Sequence, residues 1–132
     1  MAEGLLYLDS SALVKLIVPE SESRALREAL RPWPERVSSV VAEIEVERVG
    51  RRVGTGAIRR ARSVLARLAL VELDTEVRGR AAALWPAELS VIDAIHLATA
   101  ITLGDDLGAL CAYDARLQDA ASAAGVGVVT PV

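Results

Sequence analysis

Five short apolar runs alternate along this chain with stretches of helical periodicity, and that alternation limits its fold more than any other feature. Residues 5–8, 36–41, 69–73, 110–113 and 126–129 read as strands, and 11–18, 21–30, 42–53, 57–68, 75–84, 92–103 and 115–124 as helices. The first run, Leu5-Leu6-Tyr7-Leu8, is apolar on both faces, as a central parallel strand must be. Pro19 stops the first helix, and Pro32 and Pro34 hold Trp33 in a loop. Gly54-Thr55-Gly56 separates the third helix from the fourth, and Gly125 ends the last. The alternation predicts an α/β fold of three layers, α/β/α, with a mostly parallel central sheet. A chain of 132 residues suffices for one domain and is short for two, so 1–132 reads as a single domain.

Composition removes several classes of function. At 52% hydrophobic and 25% charged residues, the chain can bury a core and is not disordered. With no Phe, two Trp and two Tyr, it lacks the aromatics of a base-stacking platform. A net charge of −3 argues against general electrostatic attraction to nucleic acid. Locally the sign reverses: between residues 48 and 67 there is no acid, but Arg48, Arg51, Arg52, Arg59, Arg60, Arg62 and Arg67 all occur. That stretch reads as a solvated face, a surface for an acidic partner, or a phosphate-contacting rim. The single Cys111 allows no intrachain disulfide and fits a reducing cytosol. The opening Met-Ala-Glu-Gly shows no basic region followed by an apolar run and so does not read as a signal peptide, and the apolar stretch 95–103 is too short to span a bilayer. The expected location is therefore cytoplasmic, with no membrane association.

Four acids stand where strands give way to helices or just inside a helix. Asp9 and Asp114 end apolar runs, Asp93 opens the helix 92–103, and Glu43 lies early in the helix after the second strand. In a parallel sheet, strand ends on one edge converge although they are distant in sequence. Gathered carboxylates raise one another's pKa unless a cation joins them, and Mg²⁺ or Mn²⁺ is the simplest such partner for oxygen ligands. Each acid also has a local role open to it. Asp9 and Asp114 can cap helices, Asp93 can form a capping box with Ser90, and Glu43 can be a surface residue near a helix start. Ser10 or Ser11 can cap the first helix in place of Asp9, which leaves that carboxylate free. Asp93 belongs to a helix that is apolar nearly all round, where an unpartnered carboxylate is costly. His96 reads as a buried, satisfied histidine, Lys15 as a solvated side chain, and Asp74, Asp105, Asp106 and Asp119 as caps or loop charges. One histidine and no Ser–His pair disfavour a histidine-based nuclease. A carboxylate-held cation can activate water and bridge phosphate oxygens instead.

These motifs together resemble the PIN-domain family, and within it the VapC-type toxins of toxin–antitoxin modules. The resemblance is carried by Asp9-Ser10-Ser11-Ala12-Leu13-Val14-Lys15-Leu16, by Glu43 in a Ser-x-x-x-x-Glu setting from Ser38, by Asp93-Ala94-Ile95-His96-Leu97-Ala98-Thr99-Ala100, and by Tyr113-Asp114-Ala115-Arg116-Leu117. It spans nearly the whole chain. It implies a Rossmann-like or flavodoxin-like fold and a Mg²⁺- or Mn²⁺-dependent endoribonuclease that cleaves RNA. Asp9, Glu43, Asp93 and Asp114 would be its acidic site and metal ligands, with Ser10 and Ser11 in support or touching substrate. It also implies an antitoxin partner and a homodimer. One departure is Ala112, where many relatives carry Thr or Ser, so a hydroxyl that orients metal-bound water would be missing. A signalling receiver domain would need paired acids after the first strand and a late Lys, whereas Lys15 is the only lysine. A dehalogenase-like phosphatase would need Asp at position 11, which is Ser11. A PIN-like binding module with decayed catalysis is the remaining alternative.

Overall fold

β1 (Leu5–Leu8) lies in the middle of a five-stranded, wholly parallel sheet of order β3-β2-β1-β4-β5. The structure is a computed structural model and describes residues 2–132; Met1, the first residue of the expected domain, lies outside the described residues. After β1 the chain forms α1 (Ser10–Ile17), α2 (Ser23–Leu30), β2 (Arg36–Ser39), α3 (Val40–Val53), α4 (Thr55–Ala66) and β3 (Ala69–Val71). It continues through α5 (Thr75–Ala83), α6 (Val91–Thr102), a 3₁₀ turn at Gly104–Asp106, β4 (Leu107–Cys111), α7 (Ala115–Ala123) and β5 (Val128–Val129).

The pleat of β1 sorts the two cores. Leu6 and Leu8 point into a core with Leu13, Ile17, Leu26, Val46 and Leu65 from α1 to α4. Tyr7 points into the opposite core with Leu97 and Leu117 from α6 and α7. Helices therefore cover both faces, which gives the expected three layers.

Every strand but β1 departs from its sequence-based bounds: β3 ends two residues early and β5 begins two residues late, while β2 and β4 shift for identifiable local reasons. β2 ends at Ser39 because its side chain accepts from the Val41 amide at 3.2 Å and caps α3, which draws the β-branched Val40 and Val41 into the helix. β4 begins at Leu107 and includes Gly108, a residue that strand patterns treat as a break. A Cβ at Gly108 would lie 2.5 Å from the Glu3 carbonyl oxygen and 2.5 Å from Cζ3 of Trp33, so only glycine admits this approach. At its other end, β4 stops before Tyr113, whose amide donates to Ser11 Oγ at 3.2 Å instead of to the sheet.

The strand order places a topological switch point between β1 and β4. The chain builds outward from β1 to β2 and β3, then returns to β4 on the other side of β1. Ligand crevices of open parallel sheets form at this place, beyond the carboxyl ends of the strands. Asp9 immediately follows β1, and Asp114 follows β4 after two residues.

Candidate active site

Asp9 is itself the N-cap of α1. Its Oδ1 accepts from the Ala12 amide at 2.9 Å and from Ser11 Oγ at 2.7 Å, so neither serine displaces it from that role. The residue is only 2% exposed. Burial pushes its carboxyl above the usual carboxylate range and the charge of Asp93 adds to this, against the opposing effects of the Ser11 and Ala12 hydrogen bonds and of His96.

Asp93 sits in the first turn of α6, where Ser90 Oγ accepts from its amide at 3.1 Å. Its half-buried carboxyl is raised by desolvation and then by the charges of Asp114 and Glu45, while Ser90 and His96 oppose the rise. Asp114 caps α7, its Oδ1 accepting from the amides of Arg116 at 2.9 Å and Leu117 at 3.2 Å. Asp9, Asp93 and Asp114 thus stand on three separate elements; the charge of Asp93 reaches Asp9, and that of Asp114 reaches Asp93.

Glu43 is not part of this group. Its side chain is exposed on α3, and among the described residues it makes no side-chain hydrogen bond or ion pair. The acid that α3 delivers is Glu45, two residues on. Ser10 Oγ donates to Glu45 Oε1, which also stands 3.5 Å from Nε2 of His96. Burial works against its ionisation, but the His96 imidazole beside it and the hydrogen bond from Ser10 outweigh it and hold the carboxyl below its usual range.

His96 is 1% exposed and satisfied at both nitrogens: Nδ1 lies 2.7 Å from the Tyr7 hydroxyl and Nε2 lies 2.8 Å from Ser10 Oγ. The expectation of a solvated Lys15 fails. It is buried, with Nζ 3.3 Å from Glu20 and 3.2 Å from Glu22, and 4.6 Å from the centre of the Tyr113 ring. Ala112 is fully buried and its carbonyl accepts from Gln118 and Thr130, while the hydroxyl that touches Asp9 is that of Ser11. Within the arginine-rich stretch, Arg51 and Arg62 pair with Glu47 at 3.3 and 3.0 Å.

Among the described residues, no three His, Cys, Asp or Glu side chains stand close enough to ligate one ion together. The donor set is all oxygen, and two of its carboxyls resist ionisation where they stand. Both features fit Mg²⁺, which keeps several of its waters and is held by one or two carboxylates.

The PIN domain family model matches residues 6–123 of this chain. Ribonuclease VapC46 of Mycobacterium tuberculosis is 51% identical over 126 residues, spanning 96% of this chain and 97% of that relative. Ribonuclease VapC35 of the same species is 44% identical over 131 residues, with coverage of 96% and 97%. A chain of a toxin–antitoxin complex from Klebsiella pneumoniae superposes with a TM-score of 0.75 at 25% identity, over 96% of this chain and 98% of that one. VapC20 of Mycobacterium tuberculosis shares the fold with a TM-score of 0.74 at 19% identity, over 96% and 99%. The chain belongs to the PIN domain family, in its VapC branch.

Proposed function

We propose that this chain is a metal-dependent endoribonuclease, the toxin of a toxin–antitoxin pair, acting at the crevice between β1 and β4. The observation that carries the reading is the buried Asp9 carboxyl at the switch point, with Asp93 raising its pKa further. Asp9 and Asp93 would hold Mg²⁺ or Mn²⁺, with Glu45 and Asp114 completing the shell through water. The cation, when bound, supplies activation of water and charge relief on the phosphodiester. The chain's own residues orient that site: Ser11 fixes Asp9 by its 2.7 Å hydrogen bond, and Ser10 fixes Glu45. The sequence similarity to proteins named as ribonucleases supports RNA as substrate. The toxin–antitoxin complex from Klebsiella pneumoniae supports a protein antitoxin as partner. We extend the reading to a cytoplasmic homodimer. Among the described residues, no helix is long and apolar enough to cross a membrane.

The test is incubation of the purified protein with RNA under Mg²⁺, Mn²⁺ or chelator, with mapping of the cut ends. Cleavage that requires the cation and is lost in Asp9→Asn and Asp93→Asn is the expected result. Cleavage under chelator, or full activity in either variant, contradicts the assignment. No cleavage by the unmodified chain favours the decayed binding module.

A further inference from the structure

We propose that Tyr7 and His96 are positioning residues, holding Ser10 and Glu45 at the acidic crevice through a chain of hydrogen bonds that runs in one direction from the sheet interior to its edge. The proposal rests on the nuclease reading of that crevice and adds residues that it does not use.

The chain has four members on four elements. Tyr7 is on β1 and completely buried, and its ring meets the His96 ring edge-on, 5.7 Å between centres and 71° between planes. The Tyr7 hydroxyl is 2.7 Å from His96 Nδ1, His96 Nε2 is 2.8 Å from Ser10 Oγ, and Ser10 Oγ reaches Glu45 Oε1. The direction follows from the last member, because an ionised carboxylate can only accept. Ser10 therefore gives its one proton to Glu45 and must accept from Nε2–H. Nδ1 of that tautomer is an acceptor, and it takes the Tyr7 proton. Ser38 and Thr99, which also neighbour the Tyr7 hydroxyl, give their own protons to the Leu8 and Ile95 carbonyls, each at 2.6 Å, so neither supplies a proton to Tyr7.

The chain also joins the two helical layers. Glu45 comes from α3 on one face of the sheet, whereas His96 lies on α6 of the other face, one turn beyond Asp93. A Glu side chain has three free torsions, and its carboxylate finds a fixed place only if something holds it. The imidazole sets that place relative to Asp93, because both are carried by the same rigid helix. Tyr7 locks the imidazole from behind.

Tyr7→Phe tests the chain by removing one buried oxygen. Loss of such a supporting partner costs roughly 10-fold or more in metal affinity or activity. The expected result is weaker Mn²⁺ binding by about that factor, read by electron paramagnetic resonance, with RNA KM unchanged, kcat lowered and the far-ultraviolet spectrum retained. In a Glu45→Gln background the same substitution should leave Mn²⁺ affinity unaltered, since its effect passes through Glu45. His96 is the only histidine, so ¹⁵N resonances of one imidazole report the tautomer, expected to be Nε2–H. Equal losses in both backgrounds, unchanged Mn²⁺ affinity, or an Nδ1–H tautomer would overturn the proposal. A wild-type chain that cuts no RNA sinks the nuclease reading alone, because the tautomer and the Mn²⁺ affinities still decide the chain.

Discussion

Oε1 of Glu45 stands 3.5 Å from Nε2 of His96, so an acid from one helical layer meets an imidazole from the other at the edge of the sheet. Glu43, two residues earlier on α3, points to solvent. The two glutamates should therefore respond oppositely to the same change. Glu45→Gln is expected to lower the rate of RNA cleavage at least about 10-fold. Glu43→Gln should leave it within about twofold, as surface substitutions generally do. Initial rates at saturating Mn²⁺ distinguish them, and the reverse order would return the site to Glu43.

The raised carboxyls of Asp9 and Asp93 make a prediction about stability without metal. A carboxyl whose folded pKa lies above its ordinary value of 3.8 favours folding through its neutral form. That contribution is complete below 3.8 and is lost as pH rises through the higher folded value. Glu45, held low, acts in the opposite sense. Asp9→Asn isolates the first effect, because Asn caps a helix as well as Asp and carries no charge. At neutral pH without metal, this variant should unfold at a higher temperature than the wild type. Mn²⁺ should raise the wild-type midpoint, by about 2.7 kcal/mol of stability at 100 times its Kd, and should leave the variant unmoved. Thermal scans across pH with and without Mn²⁺ provide the check; a less stable Asp9→Asn protein counts against a strained carboxyl.

Much of the candidate site was legible as local structure, because three of its proposed acids double as helix punctuation. Asp9 and Asp114 are N-caps and Asp93 lies three residues after the cap Ser90, so each marks a strand–helix junction that periodicity already located. β1 was legible because its run is apolar on both faces and ends at Asp9. Glu45 was not. Glu43 and Glu45 lie about 200° apart on the helical wheel, on either flank of the buried stripe Ala42, Val46 and Gly50. The stripe fixes which face turns inward, but which flank meets the crevice depends on how α3 is set against α1, a tertiary fact. Lys15 was misread for a similar reason. Its partners Glu20 and Glu22 lie past Pro19, and only the turn back into α2 brings them to its ammonium.

Cys111 should be inert in the folded protein. It is completely buried on β4, and burial pushes its thiol up to about 12, so almost none is thiolate near pH 8. Iodoacetamide at that pH should leave the native chain unmodified and label it fully in denaturant, as mass spectrometry would show. Rapid labelling of the native chain would mean that β4 opens readily.

The crowding at Gly108 predicts a fold effect separable from the site. Adding a methyl group against the Glu3 carbonyl and the Trp33 ring overpacks the junction of β4 with the segment before β1. Gly108→Ala should cost about 1–3 kcal/mol, measured by urea denaturation, with unchanged cleavage per folded molecule. A neutral effect would show that Trp33 swings aside freely.

The arrangement of acids is tested most directly by crystals of this chain soaked in Mn²⁺ and measured for anomalous scattering. The account predicts one or two peaks between Asp9 and Asp93, with Glu45 and Asp114 facing them, and no peak at Glu43. A peak bound by Glu43, or well-ordered crystals with no Mn²⁺ in the β1–β4 crevice, would contradict it.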